Sequence, residues 1–221
     1  MPLVSTMPPC LPAYGVLIGV DEAGRGPWAG PVCAGAVVLG PDHGIEGLND
    51  SKRLSAKRRQ ALAPEIEQRA RAWGLGWASA EEIDASNILL ATFQAMQRAV
   101  VQCLDKLVVR LWSDVFIQVD GSLLPARSLG AQHWPWATEA VVGGDAQVAE
   151  ISAASILAKV ARDAEMARLD GVYPGYGFAQ HAGYGTAAHQ AALDRLGPCP
   201  VHRRSFAPVV RCLSRQLPSR A

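Results

Sequence analysis

Val16-Leu17-Ile18-Gly19-Val20, followed at once by Asp21-Glu22-Ala23-Gly24-Arg25-Gly26-Pro27, decides how the rest of the chain is read. The first five residues form a short apolar, β-branched run that reads as a buried strand, and the acids, glycines and proline behind it read as its end. A second apolar run, Val32 to Leu39, reads as the antiparallel neighbour. Adjacent side chains on a regular strand point to opposite faces of a sheet. Asp21 and Glu22 can therefore serve one site only if the pleat breaks there, and Gly24 and Gly26 are residues that permit such a break. A solvated turn at a strand end is the alternative.

Working outward, Ser55 is a fitting N-cap for a helix from Ala56 to about Arg71. Ala72 to Ser79 alternates as a third strand. Glu81 to about Leu104 has helical spacing at Ile88, Leu89, Phe93, Met96 and Val100. Val115–Val119 and Ala140–Val142 read as two more short buried strands, with a loop between them that carries Trp134-Pro135-Trp136, a motif to which no role attaches. Gln147 to about Leu169 suits a helix whose small residues on one side predict tight packing on the sheet. Tyr173 to Gly185 is a glycine- and aromatic-rich loop, and Thr186 to Leu196 a short helix. Three early strands, then helices alternating with strands, predict an α/β fold: a mixed β-sheet flanked by helices, with a small helical C-terminal extension. Residues 1–13, rich in proline and without a signal-peptide pattern, read as a disordered leader. Residues 14–196 read as the body, and 197–221 as a basic extension of the same domain.

The chain has 221 residues and is 49% hydrophobic, enough to bury a core without disulfide or metal staples. Its longest apolar stretches fall far short of the ~20 residues of a membrane-spanning helix. With 21 Lys+Arg against 20 Asp+Glu, the net charge of +1 gives no global pull towards nucleic acid. The local exception is the tail, where Arg195, Arg203, Arg204, Arg211, Arg215 and Arg220 stand without an acid. Such a patch predicts salt-sensitive affinity for a phosphate backbone. Five scattered cysteines, an odd number with no CxxC pair, predict free thiols in a reducing compartment and a cytoplasmic protein. His181 and His189 read as structural. Six scattered tryptophans do not make a stacking platform for single strands.

Phe116-Ile117-Gln118-Val119-Asp120-Gly121 repeats the pattern of an apolar strand that ends in an acid and a glycine, and Val141-Val142-Gly143-Gly144-Asp145 is a third instance. Three core strands that each deliver a carboxylate at the C-terminal end predict a cluster at one sheet edge. Clustered carboxylates repel unless a cation holds them. Oxygen ligands without His or Cys favour Mg²⁺ or Mn²⁺. Asp21, Glu22, Asp120 and Asp145 therefore read as a two-metal phosphoryl-transfer site. Each could instead cap a helix, Asp145 above all.

Five segments in order resemble bacterial ribonuclease HII, a type 2 ribonuclease H family. They are Gly19–Pro27, Leu48-Asn-Asp-Ser-Lys-Arg-Leu54, Glu150-Ile-Ser-Ala-Ala-Ser-Ile-Leu-Ala-Lys159, Tyr176-Gly-Phe-Ala-Gln-His-Ala-Gly-Tyr184 and His202-Arg-Arg-Ser-Phe206. The resemblance covers roughly Tyr14 to Pro208. It implies a ribonuclease H-like fold with Asp21, Glu22, Asp120 and Asp145 as catalytic acids holding two Mn²⁺ or Mg²⁺ ions. It implies hydrolysis of the RNA strand of RNA–DNA hybrids, and cutting at single ribonucleotides in duplex DNA, with 3′-hydroxyl and 5′-phosphate products. Gly24, Arg25 and Gly26 would read the ribose 2′-hydroxyl, the group that separates RNA from DNA, largely through the backbone. Tyr184 would pack on the neighbouring sugar. Asn49, Ser51 and Lys52 would contact phosphate, with Lys159, Arg203 and Arg204 as weaker backbone contacts. Arg58 and Arg59 read as solvated.

Three positions depart from the family pattern: Ser122 where Asn is usual, Gly143 where a lysine often stands, and Ala182 in place of a common lysine. They remove basic or polar contacts and leave the four acids intact. A non-catalytic hybrid-binding protein on the same scaffold is the rival reading, and loss of an acid would favour it. Ribonuclease HIII carries an extra N-terminal substrate-binding domain, for which the 13 residues before Tyr14 are too few. The expected state is a monomer with no membrane association.

Overall fold

The computed structural model describes residues 15–107 and 112–216; the expected leader over 1–13 and Arg220 lie outside the described residues. Five strands, β1 (Val16–Ala23), β2 (Val32–Val38), β3 (Ala72–Ala78), β4 (Val115–Asp120) and β5 (Ala137–Val141), form one sheet in the order β3-β2-β1-β4-β5. β2 runs antiparallel to both β1 and β3, while β4 is parallel to β1 and β5 parallel to β4. The sheet is mixed, as expected. Because β1, β4 and β5 are parallel, their C-terminal ends meet at one edge.

Helices cover both faces. Ile18, Val20, Ala34 and Ala36 pack with Ala95, Met96, Ala99 and Val100 of α3 (Ile88–Leu104). On the opposite face Val37 packs with Leu62 and Ile66 of α1 (Ala56–Arg69) and with Ala153, Ala154 and Leu157 of α5 (Ala149–Val172). The Ser55 hydroxyl caps α1 by accepting from the Arg58 N–H, as its sequence position predicts. α5 approaches the sheet closely because β1 and β2 present glycines to it. A Cβ on Gly19 would lie 2.2 Å from the Glu150 carbonyl carbon, and one on Gly35 would lie 2.5 Å from the Ala154 oxygen. No side chain fits between strand and helix at either place.

Several expected boundaries change. β1 does not stop at Val20: its pairing with β2 continues through Asp21↔Gly35 and Glu22↔Ala34 to Ala23↔Cys33, so the pleat does not break between the two acids. The single helix expected over 81–104 is two, α2 (Ala80–Ala85) and α3, because Ser79 and Asn87 each cap a new start with their side chains. β5 begins three residues earlier than expected, and α5 runs from Ala149 to Val172. A short helix, α4 (Pro125–Leu129), lies between β4 and β5, and the loop after α5 contains a one-turn helix, α6 (Phe178–His181). The motif without a role gains one in the core: Trp134 and Trp136 are buried edge to face at 5.3 Å, and the Trp134 indole N–H donates to Thr138. The C-terminal extension is helical, α8 (Ala207–Gln216), and its Val209 and Cys212 pack on Leu193 of α7 (Ala187–Leu196).

Gly19→Ala should lower unfolding free energy by about 2–3 kcal/mol, since backbone of α5 must move to admit the methyl. Gly171→Ala, in the same helix family of substitutions but with nothing within 4 Å of the added Cβ, should raise it by about 0.5–1 kcal/mol. Urea unfolding of both variants measures the difference, and equal effects would contradict the close-approach account.

Candidate active site

Asp21 near the end of β1, Asp120 at the end of β4 and Asp145 in the turn after β5 converge at the shared edge. Each offers an oxygen, and these oxygens lie within 4.8 Å of one another. Asp120 holds the turn that carries Asp145, its Oδ1 accepting the Gly144 N–H at 2.8 Å. That turn is a short 3₁₀ segment, Gly144–Ala146, which follows Gly143 in a left-handed conformation. Asp145 thus neither extends a strand nor caps α5, for which Val148 is the N-cap residue.

Glu22 takes the other face of the unbroken strand. It lies 3.5 Å from Arg25 and is outside the three-acid group; burial raises its pKa, Arg25 opposes that, and the Asp120 charge is close enough to add to the rise. Burial pushes the Asp21 carboxyl well above the usual range, and the charges of Glu22 and Asp120 push it further. Burial followed by Asp120 and Asp50 raises Asp145. The nearby cation is Lys52, with Nζ 3.6 Å from Asp145. Burial opposes its charge, but Asp21, Asp145, Asp50 and Asp120 outweigh that and hold the ammonium above its ordinary value.

Magnitudes show what this arrangement needs. Two carboxylates about 5 Å apart repel by about 3 kcal/mol at an effective dielectric of 20. Lys52 is a single charge with a side chain 75% exposed, so solvent weakens its attraction. One screened ammonium does not balance three converging carboxylates. A hard divalent cation matches both their charge and their all-oxygen donor set.

Asn49, Ser51 and Lys52 lie on the segment beside the acids. Ser51 is buried, its hydroxyl 2.7 Å from that of Ser155 on α5, and a hydrogen bond between Ser155 and the Asp21 carboxylate works against the rise that burial causes. Ser155 therefore joins the phosphate-side segment to a metal-ligand candidate. Sequence reasoning missed it; the two hydroxyls, Ser152 and Ser155, among the small apolar residues of α5 were the available signal. Arg59, read as solvated, is mostly enclosed and donates to the Ser51 and Leu54 carbonyls, which fixes the same segment. Asn49 accepts the Asp50 N–H. Lys159 pairs with Asp163 at 2.6 Å.

The loop after β1 forms the second part of the site. Gly24 has φ of +98°, and a Cβ there would strike the Arg162 guanidinium. Arg203 is fully buried and donates to the carbonyls of Gly24 (2.6 Å), Arg25 (2.8 Å) and Gly30 (3.0 Å). This corrects the expectation that Arg203 lies against a nucleic-acid backbone: its guanidinium is enclosed and spent on the loop. Burial and the charge of Arg162 push it down to about 9, still protonated at neutral pH. In a trans peptide the N–H points opposite to the carbonyl. With the Gly24 and Arg25 carbonyls held by Arg203, the N–H groups of Arg25 and Gly26 turn away from it. Arg162 is likewise buried and spans Ala29, Pro31 and Ala182 through their carbonyls. It thereby ties this loop to the one carrying Tyr184, whose half-exposed ring stands 3.6 Å from where a Gly26 Cβ would be. Arg204 is exposed, its N–H capped by Asp84.

The family model described as ribonuclease HII matches residues 18–209. A ribonuclease HII of Laribacter hongkongensis is 59% identical over 196 residues, covering 89% of this chain and 93% of its own. One from Hyphomonas neptunium is 55% identical over 204 residues, covering 89% and 96%. Among solved structures, the ribonuclease H2 of Pyrococcus horikoshii superposes with a TM-score of 0.71 at 27% identity, covering 90% of this chain and 98% of that one.

The raised Asp21 and Asp145 pKa values carry a sign. An acid whose folded pKa is raised favours folding below its unfolded pKa, near 4, and that contribution is lost as pH rises through the folded value. The metal-free protein should therefore be penalised at pH 7–8, and Mg²⁺ or Mn²⁺ should raise Tm there but little near pH 4. Asp21→Asn should raise the metal-free Tm at pH 8 and abolish most of the metal increment. Thermal melts with and without chelator read both, and a metal-free variant that melts lower would oppose the repulsion account.

Proposed function

The chain belongs to the ribonuclease HII family and is a ribonuclease H hydrolase; on that premise we propose that it hydrolyses the RNA strand of RNA–DNA hybrids and nicks 5′ of single ribonucleotides in duplex DNA. The products are 3′-hydroxyl and 5′-phosphate ends, and two Mg²⁺ or Mn²⁺ ions serve the reaction. The observation that carries this reading is the convergence of Asp21, Asp120 and Asp145 within 4.8 Å at one sheet edge, beside a loop whose Gly24 and Arg25 carbonyls are held by buried Arg203, which turns the Arg25 and Gly26 N–H groups away from that side chain. Those three carboxylates would hold the ions, with Glu22 as the neighbouring fourth acid. Bound there, divalent cations would supply Lewis acidity for activating water and for stabilising the departing 3′ oxygen.

The protein's own groups do the recognition. Glycines at 24 and 26 leave room for a sugar, and the N–H groups of Arg25 and Gly26 can meet a 2′-hydroxyl, which accepts as well as donates. Deoxyribose offers neither. The Tyr184 ring beside Gly26 packs on the adjoining sugar and favours a junction with DNA. Lys52 can exchange its contact with Asp145 for a substrate phosphate, and Asn49 lies on the same segment. Ser51 acts through Ser155 rather than by touching substrate, since it is buried. Lys159 and exposed Arg204 remain backbone contacts of the duplex. The proposed state is a monomer in the cytoplasm, in keeping with the free thiols of Cys33, Cys103, Cys199 and Cys212. Among the described residues no helix is long and apolar enough to cross a membrane.

A labelled DNA duplex with one ribonucleotide tests the proposal. Cutting should occur 5′ of the ribonucleotide, need Mg²⁺ or Mn²⁺, spare an all-DNA duplex, and fall roughly 10³-fold or more in Asp120→Asn. Salt-sensitive binding by folded protein, without cutting of this duplex or a long hybrid, would instead favour the binding-only scaffold.

A further inference from the structure

Behind the Tyr184 loop lie two buried histidines that the chemistry above does not use. His202 Nδ1 receives the Cys199 N–H at 3.0 Å. Because Nδ1 is an acceptor, the neutral ring carries its proton on Nε2. That nitrogen is 3.1 Å from His189 Nε2, so His202 donates and His189 accepts. The His189 proton must then be on Nδ1, which lies 3.0 Å from the Tyr184 carbonyl and donates to it. Both tautomers follow from one backbone N–H. The result is a directional chain from Cys199 through His202 and His189 to the backbone of Tyr184.

The surroundings hold the two rings in place. Trp28 lies 5.3 Å from His189, and the Trp28 N–H donates to the Gly183 carbonyl at 2.8 Å. His181 stacks on His189 at 4.5 Å, and Tyr176 lies 4.9 Å from His202. Burial lowers the pKa of both histidines, with His202 brought to about 4, and each ring's charge would oppose that of its neighbours His181 and His189. Protonating His189 would set two N–H groups against each other across 3.1 Å, and protonating His202 would set its Nδ1–H against the Cys199 N–H at 3.0 Å.

We propose that the His189–His202 pair is a positioning element for substrate selection: it fixes the Tyr184 backbone, and so its ring, against the Gly24–Gly26 loop, and thereby favours a ribonucleotide followed by DNA over a continuous RNA strand. The proposal rests on the reading of Tyr184 as the residue that packs on the sugar beyond the ribonucleotide. Neither histidine touches substrate or the acids. Loss of the bond to Tyr184 should therefore weaken discrimination and leave the chemical step intact.

The test compares kcat and KM on two substrates, a duplex with one embedded ribonucleotide and a continuous hybrid. His189→Leu should lower kcat/KM on the first about fivefold to tenfold, through KM, and change the second by less than about twofold. His189→Asn, whose amide stands where Nδ1 does and can still donate to the Tyr184 carbonyl, should restore most of the ratio. Equal losses on both substrates, or no rescue by Asn, would mean a structural role only and overturn the proposal. Should the leucine variant fail to fold, ¹⁵N spectra of the wild-type histidines decide. They should show His189 protonated on Nδ1 and His202 on Nε2, with His202 uncharged above about pH 5. The opposite tautomers would also overturn it. Wild-type protein that cuts neither substrate would instead remove the proposed activity, while the spectra still report on the pair.

Discussion

The contact between α5 and the glycines of β1 and β2 sets the geometry of everything at the sheet edge. With no Cβ at Gly19 or Gly35, the helix backbone lies directly on the strands. That distance brings the Ser155 hydroxyl to the Asp21 carboxylate and the Ser51 hydroxyl, so one helix locates both an acid and the lysine-bearing segment. Parallel pairing of β1 with β4 then places Asp120 beside Asp21, and the Asp120–Gly144 bond draws in Asp145. The chain gives up side-chain packing at two core positions and gains a fixed arrangement of charges.

Charge is distributed by the same logic. A nearly neutral protein concentrates carboxylates at one edge, where burial and mutual repulsion hold Asp21 and Asp145 above their ordinary pKa values. Two arginines go the other way, inward, to neutral carbonyls. Arg203 and Arg162 draw their partners from residues 24–31 and 182, which are far apart in sequence, and make one rigid surface of two loops. A buried guanidinium with its donors satisfied is costly to remove, because the carbonyls it served would be left unpaired in the interior. The arrangement turns a glycine-rich loop, flexible by composition, into a fixed set of outward N–H groups.

Much of this was legible in the residues. Apolar runs and their periods gave the strands, and the repeated motif of strand, acid and glycine pointed to Asp21, Asp120 and Asp145 before any family pattern was applied. The pleat at Asp21–Glu22 was misread because glycines that follow a strand signal its end but not which residue still pairs; β2 pairs as far as Ala23. The break inside 81–104 was hidden because Ser86-Asn87 interrupts an apolar period only briefly, while the Asn87 side chain starts a new helix. Arg203 looked like part of a solvated basic tail, since local charge density says nothing about burial. Its partners, the Gly24, Arg25 and Gly30 carbonyls, are more than 170 residues away. Ser155 escaped notice and His189 read only as structural for a related reason: their meaning lies in contacts made across the fold.

The central claim is that sheet edge and α5 together build a cation site from Asp21, Asp120 and Asp145. Anomalous diffraction from crystals soaked in Mn²⁺ tests it most directly. The account predicts a peak at about 2 Å from carboxylate oxygens of these three residues, lost in Asp120→Asn. A peak elsewhere with this cluster empty at saturating Mn²⁺, or one that persists unchanged in the variant, would contradict it.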